Sequence, residues 1–332
     1  MAEVAVTPQG EIKGRSLWQD ARRRLFANKA AVTSMIILAI IAGLSIIMPG
    51  IYFDGSGGSR TTILPSPWPH QYDQVYIDRI SCPPPDYLGM TALFGSQEEL
   101  CPTAVGKGHL FGTDANGRDL FIRVMLGGRV SLSIGLVATM VALLIGVLYG
   151  ATAGFLGGRI DNIMMRFVDV MYALPFIFFV IILVVVFGRN FILMFVAIGA
   201  VEWLTMARIV RGQTLSIRRK EFIEAAEAAG VSNWSIIRRH ILPNVLGPVI
   251  VYVTLTVPAV ILVESFLSFL GLGVQEPFTS WGVLISDGKD QMESYPWMLI
   301  FPAVSMVVTL FCFNFIGDGL RDALDPRLRM ED

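Results

Sequence analysis

Six stretches of this chain stay apolar over about the twenty residues a helix needs to cross a bilayer's hydrocarbon core. They run from Ala30 to Phe53, Val130 to Gly158, Val170 to Gly188, Asn190 to Ala207, Ile241 to Val263 and Ser294 to Gly317. A backbone in lipid must satisfy its own hydrogen bonds, so runs of this length dictate helices. Composition agrees, with 54% of residues hydrophobic and only 16% charged, against about a quarter charged in soluble domains. The expected class is an all-α integral membrane protein with six transmembrane helices. The first run has full spanning length and reads as a retained anchor rather than a cleaved signal. No tract is basic enough to suggest nucleic acid as a partner.

Charge placement sets the orientation. Of the 26 basic residues, eighteen fall before the first span, between spans two and three, between spans four and five, or after span six. An excess of Lys and Arg marks the cytoplasmic side, so both termini are expected inside. The organisation that follows is a cytoplasmic N-terminus (1–29), span one (30–53), a long extracytoplasmic loop (54–129), a core carrying spans two to six (130–320) and a cytoplasmic tail (321–332). In the N-terminus Leu17, Ala21 and Leu25 recur at helical spacing beside Trp18 and Phe26, which suits an interfacial helix. Residues 54–109 are rich in Gly, Pro and Ser and predict irregular turns. A short amphipathic helix from Leu120 is expected to lead into span two, and residues 271–295 read as a second outer loop.

Between spans four and five lies the polar segment 208–243, ending KEFIEAAEAAGVSNWSIIRRHILP. Glu221 to Ala229 are good helix formers and Gly230 is suited to end that helix. Ser232 can cap a second helix that Pro243 stops or kinks. Small faces of Ala225, Ala226, Ala228 and Ala229 would let a partner approach closely, with Glu221, Glu224 and Glu227 at the rim. The chemistry alone allows a docking knob or a hairpin that merely joins two spans.

This segment resembles the EAA loop of ABC importer permeases, carried here by Glu224, Ala225, Ala226, Gly230, Leu242 and Pro243. His240 stands where that family usually has Ile. The stretches GRSLWQDARRR, GTDANGRDLFIRVMLGGRVSLSIG, MARIVRGQTLSIRRKEFIEAAEAAG, RHILPNVLG, ESFLSFLGLGVQEPFTSWG and FNFIGDGLRDALDP resemble C-type permease subunits of the peptide/opine/nickel family, most of all its oligopeptide branch. Residues 54–105 are longer than that branch usually carries and fall outside the resemblance. The resemblance implies a type I ABC importer permease fold in the bacterial inner membrane. It also implies a heterodimer with a second permease subunit, two cytoplasmic ATPase subunits holding ATP and Mg, and an extracytoplasmic peptide-binding protein. Coupling to the ATPases would run through Glu221, Glu224, Ala225, Ala226, Gly230, Leu242 and Pro243. The chain contains no G-x-x-x-x-G-K-[S/T] phosphate loop, so nucleotide must bind elsewhere and the chain is expected to be non-catalytic, without a cofactor of its own. Dipeptides, murein peptides and nickel chelates stay open as cargo. An ion-coupled carrier and a membrane scaffold are the rival classes.

An acid at the centre of a bilayer costs about 2.5–3.5 kcal/mol on insertion scales. Glu202 in span four and Glu264 toward the outer end of span five therefore either line a translocation path or make structural hydrogen bonds. Asp169 and Asp318 are expected close to the cytoplasmic boundary, solvated or paired with Arg166 and Arg321. Asp114, Gly117, Arg118 and Asp119 form a motif that either contacts the binding protein or makes a turn held by its own Asp–Arg bonds. Cys82 and Cys101 share the outer loop, as a disulfide in an oxidising compartment or as two free thiols. Cys312 reads as a packing residue. His70, His109 and His240 show no metal-ligand spacing, and no catalytic arrangement is visible.

Overall fold

The computed structural model describes residues 17–54, 60–86, 89–188, 191–276 and 278–324. The basic residues Lys13, Arg15, Arg327 and Arg329 lie outside them.

Helix α1 (Leu17–Ala27) lies against the far end of the chain, and Asn28 starts α2 (Lys29–Ile47) by accepting the Ala31 amide at 3.2 Å on its side chain. α2 stops six residues before the expected Phe53. Pro49 cannot extend a helix, Gly50 takes φ 66°, and the chain turns into an antiparallel pair, β1 (Ile51–Asp54) and β2 (Arg60–Leu64). The segment after β2 holds the short helices α3 (Thr91–Phe94) and α4 (Gln97–Leu100). It forms a packed lobe rather than a loose loop: Phe94 meets Trp297 and Phe301, and Phe111 stacks on Phe301 at 4.1 Å.

α5 (Leu120–Leu156) is one helix of 37 residues. The expected amphipathic entry helix is its first turns, and these are buried on every side from Leu120 to Gly128, because α2, the lobe and a later helix enclose them. α6 (Gly158–Ala173) and α7 (Phe176–Phe187) meet at a 79° bend, so the expected third span, Val170 to Gly188, is broken. Pro175 supplies no amide and pushes Leu174 into extended geometry, φ −77°, ψ 125°, as a residue before proline prefers.

α8 (Phe191–Arg218) contains the expected fourth span and continues beyond it. Then come α9 (Glu221–Ala228), α10 (Asn233–Ile236), α11 (Leu242–Phe269), α12 (Trp281–Lys289) and α13 (Trp297–Leu324). Of the stop or kink expected at Pro243, the stop does not occur. The turn Ile237–Ile241 widens so that the Leu242 amide bonds back to Ile237 O, and α10 runs through it into α11. A π-type turn absorbs the proline's missing donor, and Asn244 Nδ2 donates to His240 O at 2.6 Å. The second outer loop also contains more structure than expected. Ser280 accepts the Val283 amide at 3.2 Å and starts α12, which the fully buried Trp281 anchors by donating to Val124 O at 3.0 Å.

α5 and α8 form the tightest seam. Gly146, Gly150 and Gly154 recur every four residues on α5 against the backbone of α8. A Cβ at Gly146 would sit 2.6 Å from the Met206 Cβ, and one at Gly150 would collide with the Ala207 carbonyl. Small residues at this spacing let helices in lipid approach and gain van der Waals contact. Among the described residues, four helices are long and apolar enough to cross a membrane, or five if the bent pair α6–α7 counts as one span.

Candidate functional site: a helical knob between α8 and α11

α9 and α10 form a hairpin whose inner face is fixed to the spans. Ile223, Ile236, Ile237 and Ile241 are buried against Ala151 and Phe155 of α5, Met206 and Val210 of α8, and Val245 and Val249 of α11. Full burial of such a side chain stabilises by about 1.5–3 kcal/mol, so four of them seat the knob firmly on three long helices. α9 ends in a Schellman closure: Val231 N donates to Ala226 O at 3.1 Å, Gly230 N to Glu227 O at 3.0 Å, and Gly230 takes φ 75°. That conformation is cheap only for glycine.

The outer face carries most of the residues singled out in the sequence. Glu221, Glu224, Ala225, Glu227, Ala228, Ala229 and Gly230 are exposed. Ala226 instead turns inward against the isoleucines, so the small face has three alanines, not four. Leu242 is half-buried in the same core and Pro243 is exposed where the knob joins α11. Ser232 stands at the expected cap position, but its hydroxyl bonds Ser235 Oγ at 3.1 Å instead of a backbone amide. Sequence reasoning missed Phe222 and Trp234, which are 45% and 58% exposed beside the alanines. Their signal was a large aromatic in each of two otherwise polar helices.

The two acids of the apolar runs have different surroundings. Glu264 is fully enclosed and accepts from Ser131 at 3.2 Å, Ser268 at 2.7 Å and Ser280 at 2.6 Å, hydroxyls from α5, α11 and the start of α12. It reaches no surface of this chain. Glu202 is half-buried on α8. Asp169 is exposed, one of the two states expected of it, and its ion partner is Arg208 at 2.8 Å in place of Arg166, because α6 and α8 lie side by side. Asp318 is exposed. Asp161 takes both Nε and Nη2 of Arg211, at 2.5 and 2.6 Å.

On the lobe side, Asp114 organises the turn before α5. Its Oδ1 accepts the amides of Asn116 and Arg118, and its Oδ2 accepts Arg118 Nε at 2.8 Å. Gly117 takes φ 74°, where a Cβ would strike Tyr76 O. Arg118 reaches on to Glu276 at 2.8 Å and holds that carboxyl below its ordinary pKa. Asp119 caps α5 through Ile122 N and accepts His109 Nδ1 at 2.8 Å. Cys82 and Cys101 are bonded, with Cα atoms 5.6 Å apart.

The fold brings together what sequence spacing had kept apart. His70, His109 and Asp119 are buried with potential ligand atoms within 4.8 Å of one another. Their ring nitrogens already have partners: His70 with Tyr76 Oη at 2.8 Å and Lys107 O at 2.7 Å, His109 with Asp119 and with Arg79 Nη1 at 3.3 Å. A cation beside these rings favours a hydrogen-bonded clasp over a metal centre. His240 lies elsewhere, near the Phe222 ring.

Comparison with known proteins converges on one family. Residues 120–330 match the model for the binding-protein-dependent transport system inner membrane component. Residues 16–84 match the N-terminal transmembrane domain of oligopeptide transport permease C. The oligopeptide transport system permease protein OppC of Escherichia coli K12 is 53% identical over 96% of this chain and 94% of its own length, and that of Haemophilus influenzae 52% over 96% and 91%. The dipeptide transport system permease protein DppC of Bacillus subtilis is 42% identical over 95% and 87%. Among solved structures, a chain of the inward-facing MetNI methionine ABC transporter aligns with TM-score 0.50 and 18% identity, covering 62% of this chain and 96% of that one, a likeness of fold. The chain therefore belongs to the binding-protein-dependent transport inner membrane component family, and within it to the oligopeptide permease C type.

Proposed function

We propose that this chain is a membrane-spanning, non-catalytic permease subunit of an ATP-driven importer that carries oligopeptides across a bacterial inner membrane. The observation that carries the reading is the knob: an alanine face with exposed acids, seated through its own buried isoleucines on α5, α8 and α11. A body so attached transmits a push from a partner to the spans. The names of the 52–53% identical relatives support oligopeptides as cargo, and the 42% identical relative keeps dipeptides as a second reading. The proposed assembly pairs this chain with a second permease subunit, two ATPases that bind ATP and Mg, and an extracytoplasmic peptide-binding protein; this chain itself binds no cofactor.

Six spans follow if the bent pair α6–α7 and α8 each cross the bilayer. At 1.5 Å per residue the 28 residues of α8 reach about 42 Å, more than the roughly 30 Å core. Basic residues near the knob then put it, and both termini, in the cytoplasm. The lobe faces outward, where Arg118, Asp114, Gly117 and Asp119 are candidates to meet the binding protein.

Alternating access follows if ATP binds the two arrangements of the assembly unequally. The test uses the full complex in proteoliposomes. Glu224→Lys and Gly230→Val are expected to abolish both peptide uptake and peptide-stimulated ATP hydrolysis while the chain still inserts. Wild-type uptake and stimulation in both variants would contradict the reading.

A further inference from the structure

A polar strip crosses the faces of three helices that the knob does not use. Glu202, Thr205 and Arg208 lie three residues apart along one side of α8, as helical periodicity requires. Tyr172 of α6 meets Thr205 through its hydroxyl. Tyr252 of α11 lies beside Thr205 and Glu202. Arg208 lies over the Tyr172 ring at 4.1 Å and pairs with Asp169.

None of these side chains is sealed inside the chain. Tyr172 is 42% exposed, Glu202, Thr205 and Tyr252 are half-buried, and Asp169 and Arg208 are exposed. Polar and ionisable groups at such depth face a bundle interior or an aqueous cavity rather than lipid. Within the strip, Asp169 neutralises Arg208. Among the described residues no ion pair neutralises Glu202, which stands about 9 Å along the axis from Arg208 at 1.5 Å per residue. The strip therefore offers one uncompensated carboxylate flanked by hydroxyls that can donate to or accept from a peptide backbone.

We propose that this strip holds the translocating peptide inside the membrane, with Glu202 binding its α-ammonium group and Thr205, Tyr172 and Tyr252 hydrogen-bonding its first peptide units. This rests on the peptide-importer reading above. An α-amino group is mostly protonated at neutral pH, and a carboxylate–ammonium contact is among the stronger hydrogen bonds.

Trialanine is the probe, because its α-ammonium is its one cation. In the reconstituted complex, Glu202→Gln is expected to lower the trialanine uptake rate at least tenfold and Glu202→Asp to restore most of it, with no change in the affinity of the separate binding protein for trialanine. Wild-type uptake by Glu202→Gln overturns the proposal. A wild-type complex that imports no peptide of any length, trialanine included, overturns the importer reading instead. A second measurement does not need transport. In a Cys312→Ser background, Thr205→Cys is treated with a cationic and an anionic water-soluble methanethiosulfonate. The expected result is that both react, the cationic reagent about tenfold faster, and that the preference vanishes when Glu202→Gln is added. Failure of both reagents to react, or equal rates with Glu202 intact, overturns the proposal.

Discussion

Ser280 donates to Glu264 across 2.6 Å and, through the same hydroxyl, accepts the Val283 amide that starts α12. One buried acid thus ties α12 to α11, while Ser131 brings in α5. Leaving a buried hydroxyl unsatisfied costs about 1–3 kcal/mol. Glu264→Ala, which strands three of them, is expected to lower thermal stability in detergent by several degrees, and Glu264→Gln by less, since its amide oxygen still accepts. An alanine variant melting with the wild type would remove this role.

Gly150 tests the seam between α5 and α8. A side chain there meets the Ala207 carbonyl and the Val210 Cβ at 3.0 Å, and overpacking costs about 1–3 kcal/mol. Gly150→Val should therefore lower the melting temperature and the yield of assembled complex. Gly43→Val, at a site with open space around it, is the control and should match the wild type.

His70 gives the lobe a pH dependence. Desolvation, and then its neighbour His109, hold its pKa below the ordinary histidine value. Its ring faces Tyr76, Arg79, Asp119 and the Lys107 carbonyl. The folded chain resists a proton that the unfolded chain accepts below about pH 6.5, so this contribution is complete above that pH. It is lost as pH falls through the depressed folded value. Lobe stability, read by proteolysis between residues 60 and 111, should fall from pH 7 toward pH 5 in the wild type and less steeply in His70→Gln. Identical profiles would contradict the sign.

The long apolar runs and the knob were legible because each depends on local rules: about twenty apolar residues, an alanine-rich helix, a glycine in left-handed geometry. Most of what the sequence hid was set by distant partners. Pro243 looked like a stop or a kink, and a widened turn at Ile237–Ile241 carries the helix through it. The Leu120 helix looked amphipathic until α2, α12 and the lobe covered its polar-seeming side, and α12 itself was read as loop although its cap, Ser280 to the Val283 amide, is local. Arg208 displaced Arg166 as the partner of Asp169 because α6 folds back along α8. His70 and His109 stack with ring centroids 4.1 Å apart although they are 39 positions apart in the chain, beyond any spacing rule. The glycines at 146, 150 and 154 were readable as a four-residue repeat and were missed.

Hydrogen–deuterium exchange on the purified complex tests the central claim most directly. If the knob is where the ATPases dock, amides from Glu221 to Ile236 should become protected when the ATPase pair is added to the permease dimer, while those of Glu224→Lys should not. Exchange in this segment that is the same with and without the ATPases would contradict the account.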